Sequence, residues 1–219
     1  MNAWFVTGTD TGVGKTLVSC ALLHALARRH PRVVGMKPVS AGLVQTPDGW
    51  DSEDAIALRA ASTVRVPPAL DNPVRLPDPL SPHIAAERAG TRIDIDHLVA
   101  CQRALAQHAD AMVVEGAGGF LVPLSPEHTG ADLAQAMGLP VLLVVGLRLG
   151  CLNHALLSAE AIRARGLTLA GWVANRIDPA MAAANDNIAF LRQRLGARLL
   201  ADIAHCTATD FRAVPIELP

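Results

Sequence analysis

Aromatic residues make up only 3% of this 219-residue chain, and none of them is a tyrosine. A core so poor in rings has to be built from Ala, Val and Leu. That favours close packing of helices on a sheet and leaves little material for stacking single-stranded nucleic acid. Charge of one sign is also lacking: the formal net charge is -1 and the pI is about 6.7, so no global basic field draws the chain to DNA or to an anionic membrane. The four cysteines, Cys20, Cys101, Cys151 and Cys206, lie far apart with no C-x-x-C pair. This is neither a zinc pattern nor a disulfide framework, and it points to reduced, buried thiols in a cytoplasmic protein. The longest apolar run, Pro140 to Leu147, is too short to span a bilayer, and the first strand starts too early to leave room for a signal peptide. A small-molecule partner is expected, with no nucleic acid and no membrane.

Hydrophobic residues are plentiful by contrast, at 51%. They suffice for one α/β domain spanning residues 1–219. The chain opens on Ala3-Trp4-Phe5-Val6, a short apolar strand. A loop follows, Thr7-Gly8-Thr9-Asp10-Thr11-Gly12-Val13-Gly14-Lys15-Thr16, and Leu17 onward begins a helical pattern. Glycines at 8, 12 and 14 let the backbone turn tightly and bring its N-H groups to phosphate oxygens, while the new helix aims its partial positive end at the same place. Lys15 can reach the outer phosphates and the Thr16 hydroxyl can ligate Mg2+. The common spacing G-x-x-x-x-G-K-[ST] would put glycine at position 9, where this chain has Thr9. Gly8 makes the loop one residue longer, a variant phosphate loop.

Further along, Arg32 to Val39 reads as a second strand carrying Lys37 at its C-terminal end. In open α/β sheets ligands sit just beyond the carboxyl ends of strands, so Lys37 either snorkels to solvent or converges with Lys15 on one cleft. Residues 40–50 read as loop, and a helix with an acidic first turn begins at Asp51. Capping and dipole compensation account for Asp51 and Glu53; Asp54 is either another such residue or the carboxylate that completes a Mg2+ shell. A proline-rich stretch, Pro67 to Pro82, reads as an ordered excursion over the sheet edge because Leu76, Leu80 and Ile84 punctuate it, with Ser81 and Pro82 starting a helix. A buried strand from Ala111 ends in Glu115, costly to bury unless it meets a cation or metal, and Gly116-Ala117-Gly118-Gly119 follow. Helices over 95–108, 130–137, 150–165 and up to 193 alternate with strands at 140–145, 169–176 and 199–203. The tail from Thr207 gives no signal. The alternation predicts a mainly parallel sheet with helices on both faces, and the opening phosphate loop makes it a phosphate-loop NTPase-like α/β fold.

Six stretches together resemble the dethiobiotin synthetase family: Val6 to Thr16; Lys37-Pro38-Val39; Ser81-Pro82-His83; Val114-Glu115-Gly116-Ala117-Gly118-Gly119; Val144-Val145-Gly146 with Leu149 to Ala155; and Ala170 to Asn175. They run in family order across roughly residues 3 to 206. The resemblance implies an ATP-dependent ligase of biotin biosynthesis that converts 7,8-diaminopelargonate, CO2 and MgATP to dethiobiotin, ADP and phosphate through a carbamate and a carbamic-phosphoric anhydride. It implies Lys15, Lys37 and Thr11 as catalytic residues and Thr16, Asp54 and Glu115 as the Mg2+ shell. ATP would be bound by Gly12, Val13, Gly14, Lys15, Thr16, Leu17, Asp54, Glu115, Gly116, Ala117 and Gly118, with Asn175, Arg176, Ala204, His205 and Cys206 on the adenine side. Lys37, Ser40 and Ala41 would meet the substrate, whose carboxylate the neighbouring subunit of a homodimer would hold at Gly150, Cys151, Leu152 and Asn153.

Two positions depart from the family pattern. A Ser or Thr is usual at position 41, where this chain has Ala41; either Ser40 substitutes for it or backbone groups suffice. Ala204-His205-Cys206 stands where a proline is frequent. The competing class is a nucleotide-dependent switch of the partitioning type, but such proteins carry a signature lysine early in the loop, where this chain has Asp10. A synthetase using glutamine would need a further domain for which 219 residues leave no space.

Overall fold

The computed structural model describes residues 2–47, 49–205 and 210–219. Among these, the chain runs β1 (Asn2–Gly8), α1 (Lys15–Ala27), β2 (Val33–Met36), β3 (Val39–Ala41), β4 (Val44–Thr46), β5 (Gly49–Asp51), α2 (Glu53–Ala61), α3 (Pro68–Asp71), β6 (Val74–Leu76), α4 (Pro82–Arg88), α5 (Ile95–Ala106), β7 (Ala111–Gly119), α6 (Gly130–Met137), β8 (Val141–Gly146), α7 (Cys151–Ala164), β9 (Leu169–Asn175), α8 (Ala184–Arg194) and β10 (Leu199–Ile203). Six strands form one parallel sheet in the order β10-β9-β8-β1-β7-β2. Each of its interior strands is covered on both faces, which is why β8 reads as an unbroken apolar run and is buried throughout.

Successive strand residues point to opposite faces. Phe5, Met36, Met112, Val114 and Leu143 enter one core with residues of α5, α6 and α7, whereas Val6, Val33, Val113, Leu142 and Val144 enter the other with α1 and α2. No helix among the described residues is long and apolar enough to cross a membrane.

The expected second strand, Arg32 to Val39, is in fact two. β2 ends at Met36 beside β7, and β3 joins β6 in a separate pair. Pro38 has no N-H to continue the ladder, so the chain leaves the sheet at Lys37. The expected loop over 40–50 holds the end of β3 and a small antiparallel hairpin, β4 with β5. Asp51 closes that hairpin and does not open the helix; Ser52 is the cap, its hydroxyl accepting from the Ala55 N-H. In the proline-rich excursion Leu76 is fully buried, but Ile84 is exposed. The end of the tail is also placed: Phe211, Ile216 and Leu218 pack on the core beneath α1 and α2, and the Glu217 N-H donates to the Leu200 carbonyl at 3.0 Å.

Candidate active site

The loop from Gly8 to Lys15 leaves β1 and enters α1 with two glycines in the left-handed region, Gly12 at φ +73° and Gly14 at φ +89°. A side chain at Gly14 would also put its Cβ 2.2 Å from Asn175 Nδ2. Gly14 caps α1 without a side chain, so the first N-H groups of the helix face outward for an anion. The neighbouring strand holds the loop: the Thr9 N-H donates to the Val144 carbonyl at 2.9 Å and the Gly146 N-H to Thr9 Oγ1 at 3.3 Å. Asp10 pairs with Arg148.

Next to this loop the sheet order brings Lys37, from the end of β2, against Glu115 of β7. Lys37 is 4% exposed and Glu115 fully buried. The three donors of Lys37 Nζ are matched by three oxygens, Glu115 Oε1 at 2.7 Å, Asp54 Oδ2 at 2.7 Å and the Gly116 carbonyl at 3.4 Å. The Thr16 hydroxyl lies 2.6 Å from Asp54 Oδ1 and 3.0 Å from Glu115 Oε1, shared between them. Lys15 Nζ folds back onto the Asp10 carbonyl at 3.1 Å. With two lysines and two carboxylates, the cluster is formally neutral.

The electrostatics follow from this packing. Burial, and then the neighbouring Lys37 ammonium, lower the Lys15 pKa. Burial works to lower Lys37 too, but Glu115 and Asp54 outweigh it and the net shift is upward. Asp54 mirrors this: burial would raise it, but Lys37 and the Thr16 hydroxyl leave it lowered. One atom is left over. Glu115 Oε2 is buried without a hydrogen-bond partner, a costly state for a carboxylate oxygen. The Thr16 hydroxyl, shared between Asp54 Oδ1 and Glu115 Oε1, and these two carboxylates offer oxygen donors only, the chemistry that a hard cation such as Mg2+ takes.

A cavity of about 790 Å3 opens over the cluster, lined by Thr11, Gly12, Gly14, Lys15, Thr16, Lys37, Ser40, Ala41, Asp54, Glu115, Ala117 and Gly118. The rest of its lining, Val39, Pro79, Leu80, Ser81, Pro82 and Val122, is largely apolar. Ser40 is buried with its oxygen 3.2 Å from the Asn72 amide group, while Ala41 presents no hydroxyl. A second cavity of about 830 Å3, lined by His83, Arg92 and His128 among others, carries none of the cluster's groups.

The structure does not bring every expected residue into this cavity. Gly150, Cys151, Leu152 and Asn153 sit at the start of α7 outside its lining, beside Leu149, which is 94% exposed. Asn175 lies at the end of β9 on the other side of the phosphate loop, its amide donating to the Val13 carbonyl at 2.8 Å. The Arg176 guanidinium is committed to Asp202 and Asn185, and its carbonyl lies 3.1 Å from His205 Nδ1. Ala204 precedes His205 on the strand's exit; Cys206 lies outside the described residues. Leu17 packs into the α1 core.

Sequence reasoning missed Asn72, which is fully buried and whose amide donates to the Lys37 carbonyl at 2.7 Å. An asparagine inside a proline-rich run has no periodicity to mark it, and only its position ahead of Pro73 hints at a fixed turn.

A family model described as an AAA domain matches residues 2–211. The ATP-dependent dethiobiotin synthetase BioD of Aromatoleum aromaticum is 53% identical over 218 residues, covering 99% of this chain and 96% of that protein. Among solved structures, the MinC:MinD cell division complex of Aquifex aeolicus superposes with a TM-score of 0.59 at 15% identity, covering 94% of this chain and 82% of that one. A ParA family ATPase from Chlorobium tepidum gives 0.58 at 16% identity, covering 94% and 85%. At such identities these two likenesses speak for the fold alone.

Proposed function

The chain belongs to the ATP-dependent dethiobiotin synthetase family, and from that premise we propose how its residues share the work of the reaction. It is a ligase that makes dethiobiotin, in biotin biosynthesis, at the expense of ATP. The observation that carries the residue assignment is the Lys37, Glu115, Thr16 and Asp54 cluster, with its orphaned carboxylate oxygen, at the mouth of a phosphate loop.

In this reading a diamine, 7,8-diaminopelargonate, lies along the apolar lining of the cavity. One neutral amine adds to CO2, the carbamate oxygen takes the γ-phosphoryl group of ATP, and the second amine displaces phosphate to close the ring. An alkylamine titrates near 10.4 and has to lose its proton before it attacks CO2; desolvation of the amine against the apolar part of the cavity favours that loss. Phosphoryl transfer asks for positioning and charge neutralisation. The loop N-H groups and Lys15 grip the phosphates, Thr11 lies at the cavity edge for the phosphates or carbamate, and Lys37 neutralises the oxygen that becomes the bridge. Lys37 has no spare donor in the unliganded protein, so it exchanges at least one of its three contacts when substrate binds. Thr16, Asp54 and Glu115 would hold Mg2+, which supplies further neutralisation of the phosphate oxygens when bound.

The position of Gly150 to Asn153 outside the cavity supports a homodimer in which the neighbouring copy of α7 offers its N-terminus to the substrate carboxylate. Asn175, close against the phosphate loop, would read the adenine. Three buried free thiols, Cys20, Cys101 and Cys151, suit a reducing cytoplasm.

The test is phosphate release from MgATP with and without both 7,8-diaminopelargonate and bicarbonate, with dethiobiotin followed by mass. Release that needs both substrates and matches dethiobiotin one for one is the expected result. Release indifferent to both but stimulated by DNA or a protein partner would instead support a nucleotide switch.

A further inference from the structure

Around the Lys37 and Asp54 pair runs a closed circuit of contacts that the chemistry above does not use. Lys37 stands just past the end of β2, and the sheet does not hold its backbone. Its N-H donates to the Asp71 carbonyl at 2.7 Å, and its carbonyl accepts from Asn72 Nδ2 at 2.7 Å. The Asp71 carboxylate, itself buried, is gripped by both arms of Arg59, Nε to Oδ2 and Nη2 to Oδ1, each at 2.7 Å. The remaining arm of Arg59 takes Asp51, the residue before the Ser52 cap of α2. Arg59 itself lies on α2, the helix that carries Asp54, and Asp54 Oδ2 returns to Lys37 Nζ at 2.7 Å.

The circuit therefore passes from the Lys37 ammonium to Asp54, along α2 to Arg59, across to Asp71, and back to the Lys37 backbone. Only a planar guanidinium can take one carboxylate with two parallel N-H groups and a second with its free edge; a lysine in the same place would hold one at a time. An ion cluster this buried is weak support for stability, since apolar residues of similar volume would do as well or better. Asp71 shows the discomfort directly: burial raises its pKa although Arg59 pulls the other way. The gain lies elsewhere, in the fixed distance between the strand end and the helix.

We propose that Arg59 is a positioning residue: by clamping Asp71 and Asp51 it locks the backbone of Lys37 against α2 and so sets where the Lys37 ammonium meets Asp54 and the reacting oxygens. The inference rests on the roles given above to Lys37 and Asp54.

The experiment uses the full-length Arg59→Lys variant, which keeps the charge and loses the fork, with Asp71→Asn breaking the same link from the other side should the first not fold. Lys37→Met is assayed in parallel. Dethiobiotin turnover is expected to fall at least about tenfold in kcat, because displacement of a catalytic group by as little as 1 Å can cost on the order of a hundredfold, while KM for ATP stays within about twofold. In the unliganded protein, hydrogen exchange of the Lys37 amide should quicken while the amides of β1 and β7 hold their protection. A lowered melting midpoint with an unchanged kcat and an unchanged Lys37 amide would mean a merely structural clamp and would overturn the proposal. Lys37→Met inactive beside a fully active Arg59→Lys removes the positioning role alone; an active Lys37→Met removes the functional reading beneath it.

Discussion

Replacing Lys37 by methionine keeps most of the side-chain stem and deletes the ammonium. Glu115 then loses the cation bonded to it at 2.7 Å in a place where the carboxylate is 1% exposed, while Asp54, at 40% exposure, still reaches water. Breaking a buried pair by removing one partner costs about 3–5 kcal/mol. The Asp54 half adds little because solvent screens it, and Lys15 remains near enough to relieve Glu115 in part, so the lower end, about 3 kcal/mol, is the appropriate figure. For a chain of this size that is about 6–12 °C off the melting midpoint of the unliganded protein. The loop that binds phosphates is untouched, so affinity for an ATP analogue should stay within about threefold, whereas removal of one preorganised donor to developing charge costs about 10²–10³ in kcat. Thermal melts, calorimetric titration with a non-hydrolysable analogue, and dethiobiotin formation by mass separate the three effects. An unchanged midpoint would refute the dependence of Glu115 on Lys37, and turnover within a few-fold of the parent would strike Lys37 from the catalytic residues.

Gly14→Ala must place a Cβ at φ +89° and 2.2 Å from the Asn175 amide, so it should abolish measurable ATP binding by calorimetry and lower stability by about 1–2 kcal/mol or more; normal binding would show that the loop can adopt another path. At Asp132 burial works upward, but the Thr129 hydroxyl and Arg165 hold the carboxyl at about 2. The stability it adds is present above the ordinary value of 3.8 and is lost as pH falls through about 2. Urea melts should therefore show Asp132→Asn losing less stability than the parent between those two values, and equal losses would contradict the assignment. Burial, then the Glu115 and Asp54 charges, push the Cys20 thiol up to about 12. Iodoacetamide at mildly alkaline pH should leave Cys20 unlabelled in the native protein and label it in denaturant, as read by peptide mass; rapid native labelling would be the contrary result.

What the residues disclosed in advance tracks how local each signal is. The phosphate loop, the long strands β1, β7, β8 and β9, and the helix over Gly130–Met137 all announce themselves within a dozen residues, by glycine spacing or by apolar runs. Convergence of Lys15 and Lys37 on one cleft was one of two readings open for Lys37, since both follow the carboxyl ends of predicted strands; the burial of Lys37 decides for it against a solvent-exposed lysine. Asp54 could not be decided from its neighbours, since an acidic first turn looks the same whether it stabilises a helix dipole or faces a lysine across the cleft. Only the fold, which sets α2 beside β2, distinguishes the two. The β4 and β5 hairpin escaped notice because three-residue strands carry no period. β6 and Asn72 escaped because the surrounding prolines mask any pattern, and their role depends on Lys37 leaving the sheet, which is decided by the single missing N-H of Pro38.

The strand order carries one more consequence, for how the molecule is made. β2 has β7 as its neighbour in the main sheet, and β1 has β7 and β8. Until Ala111 to Gly119 have left the ribosome, neither of the strands that present the two lysines has anything to pair with in that sheet. A nascent or truncated chain ending before Ala111 possesses the entire phosphate-loop sequence and no frame in which to set it. When β7 slots between the two waiting strands it brings Glu115 with it, so sheet, lysine pair and acidic partner come into being together.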